Sequence, residues 1–268
     1  MENTKPSMAE MSGETATSPK LVLNEISING KKGTFIYTDK KGGLIEADGK
    51  KRYAQEDLGE SVQVVFMRIR RRLRQFRKDQ KPLVTNEHNT KNDMLTLFGD
   101  PAIVKGSNDD LKAKYPNLRT NQIVYCLLRR EGMEDEVVRL VVKGSSLGSK
   151  AKAKGTHDFY TYISSFKADG ADLHMYDFIT ELYAIEENGD LGEYYAMSFR
   201  RLDELDQAAK DKVAEKMTPI FAFIKASDAY FQTKKVEELQ KTVEKAREDQ
   251  LETIEYPADD INPEDIPF

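Results

Sequence analysis

Runs in which apolar and polar residues alternate, rich in Val, Ile, Tyr, Phe and Thr, recur along the chain as far as Phe199. The turn dipeptides Asn29-Gly30, Gly42-Gly43, Asp48-Gly49, Asp169-Gly170 and Asn188-Gly189 punctuate them, which is the grammar of β-hairpins. The clearest strands are predicted over 33–38, 62–76, 94–98, 122–129, 136–143, 175–185 and 193–199. Successive runs are near enough to pair antiparallel, and helix signals are few before residue 203, so a β-barrel or sandwich is expected. After Asp203 the composition turns to Lys, Glu, Ala and Gln. A helix is predicted over 205–217, Pro219 allows a new start, and 220–230 is apolar enough to pack against the β-rich body. Between Thr233 and Leu251, Val236, Leu239, Val243 and Ala246 recur at spacings of three and four, the pattern of a charged amphipathic helix serving as a spacer or short coiled coil.

With 268 residues, 39% hydrophobic and 32% charged, the chain has room for one large domain, or one domain with appendages. No run approaches the roughly 18 apolar residues of a membrane span, and the opening Met1-Glu2-Asn3-Thr4-Lys5 lacks the layout of a signal peptide, so no membrane association is expected. The single Cys126 excludes an internal disulfide framework and is most simply a core residue. With His88, His157 and His174 scattered, it cannot complete a Cys/His zinc site, and no metal or cofactor is expected. Residues 1–19 carry no apolar periodicity and read as a disordered leader.

Charge changes the picture. The net charge of −5 conceals a division: eight of the 46 acidic residues lie within 248–268, which holds no basic residue, leaving 41 basic against 38 acidic groups in the rest. A flexible anionic tail tethered to a mildly basic body competes with any polyanion for that body.

The most informative internal stretch is Val62-Gln63-Val64-Val65-Phe66-Met67-Arg68-Ile69-Arg70-Arg71-Arg72-Leu73-Arg74-Gln75-Phe76-Arg77-Lys78. Read as a strand, Met67, Ile69 and Leu73 face one way and Arg68, Arg70, Arg72, Arg74 and Phe76 the other, making a guanidinium ladder with an aromatic at its end. Such a ladder suits a phosphate chain, because arginine bonds phosphate oxygens in pairs and stacks on bases. Read as a helix, Val62, Val65, Phe66, Ile69, Leu73 and Phe76 form an apolar stripe and the arginines a solvated face; the Val, Ile and Phe content favours the strand. A salt-bridged surface strand is the plainer alternative. A second basic element runs from Lys143 to Gly155 and contains Lys150, Lys152 and Lys154. Its glycines are misplaced for a Walker A loop, so nucleotide hydrolysis is unsupported, and a lysine loop closing on a phosphate backbone fits better. Tyr160 and Tyr162 alternate onto one face of a predicted strand over 159–166, as candidates for base stacking or for the core. The turn at 85–93, with Glu87 and Asp93 flanking His88, lacks the partners of a metal site and reads as a polar loop.

The sequence closes on Asp259, Asp260, Ile261, Asn262, Pro263, Glu264, Asp265, Ile266, Pro267 and Phe268. Two apolar side chains beside a carboxylate, with prolines restricting the backbone, suit an apolar pocket rimmed by Lys or Arg. This Asp-Ile-Pro-Phe terminus closely resembles the acidic tip of bacterial single-stranded DNA-binding proteins, which recruits replication and repair enzymes and competes with DNA for the binding groove. The resemblance covers the tail alone, and the helical spacer before it departs from the family's Gly- and Gln-rich linker. The body resembles phage single-stranded DNA-binding proteins in general plan only, and the absence of Trp departs from many single-strand binders.

The resemblance implies a five-stranded OB-type antiparallel β-barrel with elaborated loops over 20–202, a helical region over 203–250 and a disordered acidic tail over 251–268. It implies a non-enzymatic role in the cytoplasm of a bacterial cell or phage-infected host. The barrel would coat single-stranded DNA through Arg68, Arg70, Arg72, Arg74, Phe76, Lys143, Lys150, Lys152, Lys154, Tyr160 and Tyr162. The tip formed by Asp259, Asp260, Asp265, Ile266, Pro267 and Phe268 would deliver partner enzymes. A homo-oligomer is compatible with these features. Two alternatives remain: an interaction protein that carries the tip as a mimic without binding DNA, and a mediator of single-strand annealing.

Overall fold

The computed structural model describes residues 21–47, 49–77, 80–89, 93, 95–99, 104–148, 157–168, 173–189 and 192–233. The leader, the region beyond 233 with the acidic tip, and Lys78, Lys150, Lys152 and Lys154 lie outside these residues. The described chain is mostly β with a C-terminal helix. Its strands are β1 (Asn24–Asn29), β2 (Thr34–Ala47), β3 (Lys50–Asp57), β4 (Ser61–Gln75), β5 (Leu83–Thr85), β6 (Leu95–Phe98), β7 (Val104–Gly106), β8 (Arg119–Arg129), β9 (Glu136–Val142), β10 (Phe178–Gly189) and β11 (Gly192–Glu204). The helices are α1 (Asn108–Lys114), α2 (Phe159–Ala168) and α3 (Gln207–Thr233).

The strands form one open sheet in the order β3-β2-β1-β9-β8-β4-β5-β6-β7, and β10 pairs with both β11 and the first part of β4. The expectation of a wholly antiparallel sheet is corrected: β1 runs parallel to β9, with Glu25 opposite Arg139. More than a hundred residues separate these strands, so no hairpin dictates their direction. The Asn29-Gly30 signal marks the turn from β1 to β2, where Gly33 sits at φ 69° and the Tyr195 ring lies 2.7 Å from where a Cβ would be. Only glycine fits both the left-handed backbone and that contact. Gly42-Gly43 is no hairpin; it lies within β2, where the register to β3 shifts between Asp39 and Leu44.

β8 shows why the interior strands lose their polar alternation: both of its faces are covered. Val124, Cys126 and Leu128 enter one core with Ile26, Phe35, Val64, Phe66 and Leu140. Ile123, Tyr125 and Leu127 enter a second core with Val65, Met67 and Val141 on the opposite face. α2 closes the first core with Phe159, Tyr162 and Phe166, so the strand predicted over 159–166 is corrected to a helix. These rings recur at spacings of three and four; Phe159 and Tyr162 meet Phe66 and Phe199 at centroid distances between 5.5 and 6.4 Å, and Phe166 meets Tyr162 at 5.1 Å. α3 closes the second core with Val213, Ile220 and Ile224. It runs unbroken through Pro219, so the predicted new start is also corrected: the missing donor weakens one turn, and burial on either side carries the helix past it. A smaller leucine cluster under β5, β6 and α1 holds the far end of β4. Among the described residues no helix is long and apolar enough to cross a membrane.

Candidate nucleic-acid interface

β4 is a strand because its β-branched and aromatic residues pack into the cores on both of its faces. Its period is broken once. Phe66 lies opposite Cys126 and Arg68 opposite Tyr125, so Met67 is the extra residue of a bulge and joins the core beneath α3 rather than facing away from the arginines. Beyond the bulge the alternation holds: Arg68, Arg70, Arg72 and Arg74 lie opposite Tyr125, Ile123, Asn121 and Arg119. Directly paired residues point to the same face, so these four share the α3 side of the sheet while Ile69 packs into the other core. Successive rungs are about 6.6 Å apart along a strand. One row crosses four strands, from Arg68 through Tyr125 and Arg139 to Glu25.

The rungs differ in their environment. Arg68 lies over the Phe221 ring of α3, 5.5 Å from its centroid, and reaches the Asn89 Oδ1 at 3.4 Å. Arg70 is 2% exposed; its Nη1 donates to Asp228 Oδ2 of α3 at 3.1 Å, and its Nη2 donates to Asp228 Oδ1 and, at 2.9 Å, to the Glu87 carbonyl. Arg72 bonds no carboxylate among the described residues, and its Nε is buried without an acceptor. Arg77, past the strand, is spent on structure, with its Nε donating to the Lys81 carbonyl at 2.9 Å.

Lys143 follows β9 directly and completes the cluster. Burial first, then the positive charge of Arg74 and that of Arg72 against the opposing Glu25, hold its ammonium below the ordinary lysine value of 10.5. Burial and the charge of Arg139 likewise lower Arg72, with Glu25 and Glu87 opposing. Arg139 is differently placed: burial disfavours its charge, but Glu25 and Glu87 outweigh that and raise it. Its Nη2 donates to Glu25 Oε2 at 2.9 Å. Burial alone would raise Glu25, yet Arg139 and Lys40 hold its carboxyl below 4.5. Thus Arg139 is neutralised by a carboxylate, whereas Arg72 and Lys143 crowd together with Arg74 at a desolvation cost that a bound anion would relieve.

The remaining predicted residues divide. Phe76 stands just past the end of β4, 40% exposed, rather than on the ladder itself. Tyr160 and Tyr162 do not share a face: Tyr160 is 46% exposed, while Tyr162 is fully buried, with its hydroxyl 2.6 Å from that of Thr180. Tyr162 is therefore core, and the stacking role drawn for it is corrected. The lysine loop begins as a 3-10 turn over Gly144–Leu147, pinned where the Met197 amide donates to Ser146 Oγ at 2.8 Å. Glu87 is committed to the Tyr125 hydroxyl at 2.7 Å, and Asp93 to the Asn89 amide at 2.8 Å, which gives both carboxylates structural partners. His88 is buried with neither ring nitrogen bonded, and burial lowers it below 6.5, keeping it neutral.

Three residues of the site escape sequence reasoning. Arg139 left a signal, as the one charge inside the apolar run 137–142; Phe221 and Asp228 left none, because α3 meets β4 only through the fold. No family model matches the chain, nor does any curated protein or solved structure.

Proposed function

We propose that this chain is a single-stranded DNA-binding protein whose barrel is of the OB type and whose acidic terminus docks replication or repair enzymes. The observation that carries the reading is the group Arg72, Arg74 and Lys143: neighbouring cations on one sheet face, with Arg72 and Lys143 destabilised by burial and by their neighbours' charge. The sheet is open, and what supports the OB-type reading is its connectivity. The long β4 is shared, pairing with β10 from Ser61 to Val64 along one edge and with β8 from Gln63 to Arg74 along the other; β8 and β9 form a hairpin; α2 lies between β9 and β10 in the chain and covers one face of the sheet. In OB-folds the second and third strands supply the ligand face, and under this reading those roles would go to β8 and β9, which carry Asn121, Arg139 and, just beyond, Lys143. Guanidinium and ammonium groups would hold successive phosphates, with the exposed rings of Phe76 and Phe221 available for bases; Tyr160 lies on the opposite face of the sheet with α2, where its hydroxyl accepts from Gln122, and is left out of the stacking role.

Titration of a fluorescent oligo-dT tests the reading, with duplex of equal length as competitor. Binding that survives duplex competition supports it; equal preference for duplex, or no binding at low salt, removes it. Recruitment is tested separately by titrating a peptide ending in Asp265-Ile266-Pro267-Phe268, with and without Phe268, against repair helicases and exonucleases. Equal binding of the two peptides would make the tip's likeness accidental. The mimic reading draws on one specific observation, that Arg70 is already satisfied by Asp228. Under it the ladder is architectural, and no DNA binds.

A further inference from the structure

The ladder has four rungs, yet α3 occupies two of them. Phe221 covers the guanidinium of Arg68, and two turns later Asp228 grips Arg70 through both carboxylate oxygens. A carboxylate held this way presents two oxygens to a guanidinium fork, as a phosphate does. The contact is also lopsided in a useful sense. The Arg70 side chain is 2% exposed while that of Asp228 is 31% exposed, so solvent reaches the pair from the helix side. The end of the helix is fixed a little further on by Phe231 against Phe98 of β6, with ring centroids 5.8 Å apart. On the other side of these contacts the helix contains Pro219, which cannot donate to the carbonyl four residues earlier and leaves one turn easier to bend.

From these contacts we infer that the part of α3 beyond Pro219 is a strap that withholds Arg68 and Arg70 from DNA, with Asp228 standing where a phosphate of the bound strand goes. The inference rests on the single-strand reading above and adds its regulation. With the strap seated, the protein offers Arg72 with Lys143 at the far end of the ladder, enough for a short stretch of strand. A longer strand gains the two inner rungs by exchanging its phosphate for Asp228 and one of its bases for Phe221. One anion replaces another on Arg70, so the guanidinium is never left buried and unpaired, and what the longer strand has to offset is the exposure of Ile220 and Ile224 and the loss of the Phe231 contact with Phe98. Strand length would then set whether the helix is seated.

The experiment compares full-length wild type with Asp228→Asn and Phe231→Ala in oligo-dT titrations over a salt series, with circular dichroism to verify the fold. Asp228→Asn removes the stand-in anion; Phe231→Ala loosens the end of the strap without changing charge, and so separates release of the helix from mere loss of a negative group. Each should tighten binding of a long oligo-dT, Asp228→Asn by roughly tenfold at low salt, the worth of one hydrogen bond to a charged group. The salt slope should steepen by about 0.7 for the phosphate newly held. Adding Arg70→Gln to Asp228→Asn should return affinity and slope to those of wild type. Amides of 220–231 should exchange faster with deuterium when long oligo-dT is bound. If wild type binds DNA but folded Asp228→Asn and Phe231→Ala bind no more tightly, the strap is an ordinary helix contact and the inference is wrong while the DNA reading stands. If neither wild type nor Asp228→Asn binds oligo-dT, the single-strand reading fails and takes the strap with it.

Discussion

Replacing Arg72 by Gln should move stability and DNA affinity in opposite directions. In the folded protein Arg72 has a buried Nε without an acceptor and bonds no carboxylate among the described residues, with Arg139 and Arg74 adding unfavourable charge. A buried unsatisfied donor costs about 1–3 kcal/mol, and because the side chain is only partly buried the lower end applies. Arg72→Gln should therefore unfold about 1 kcal/mol less readily, a rise in Tm of roughly 2–4 °C for a chain of this size. On the single-strand reading the same change also deletes one phosphate contact. Affinity for oligo-dT at low salt should fall roughly tenfold, and the slope of log affinity against log salt should flatten by about 0.7. Thermal unfolding by circular dichroism gives the first number and fluorescence anisotropy the second. A Tm lowered by several degrees with affinity and slope unchanged would refute the reasoning, because it would make Arg72 a structural residue whose partner lies elsewhere.

Tyr162→Ala should cost about 3–5 kcal/mol in urea denaturation, since it empties a core position and orphans the Thr180 hydroxyl, while Tyr160→Ala should stay within about 0.5 kcal/mol of wild type; equal costs would contradict the placement of α2. Lys143 supplies a pH test. Because its folded value lies below 10.5, the unfolded chain binds more protons in that window, so its contribution to stability grows as pH rises through it while its use as a phosphate contact is lost. Oligo-dT affinity should thus decline at lower pH than ordinary lysines allow, and Lys143→Arg should remove the decline; a profile unaltered by Lys143→Arg would exclude the residue from the site. Ending the chain after Gln250 deletes six of the eight acidic groups in 248–268 and should tighten binding at low salt, with a gain that shrinks as the Debye length falls towards 8 Å; equal affinities at low salt would show that the acidic segment does not compete.

The strands were legible where side-chain chemistry was local. The predicted segment 62–76 differs from β4 by one residue at each end, and the alternation of its arginines survives in the fold because Ile123, Tyr125 and their neighbours on β8 hold the register. The bulge at Met67 was not legible, since it follows from the pairing of β4 with β8 and leaves no residue of its own as a mark. In 159–166 both periods were present, and the β propensity of Phe and Tyr obscured the three-and-four spacing of Phe159, Tyr162 and Phe166 that the fold uses. Pro219 was a sound warning in isolation, overridden by burial of Val213 on one side and Ile220 and Ile224 on the other. The pairing of Arg70 with Asp228 spans 158 residues, a distance over which periodicity carries no information. The same holds for β1 beside β9, which brings Glu25 to Arg139 and so decides that Arg139, rather than Arg72, is the cation a carboxylate neutralises.

The most direct test of the central claim is the salt dependence of oligo-dT binding by the triple variant Arg72→Gln, Arg74→Gln, Lys143→Gln beside wild type, both verified as folded. If the three cations hold phosphates as proposed, removing them, at about 0.7 each, gives a slope flatter by about 2 and an affinity reduced at least a hundredfold at low salt. A folded triple variant that keeps the wild-type slope and affinity would contradict the account, placing any DNA site away from this face of the sheet.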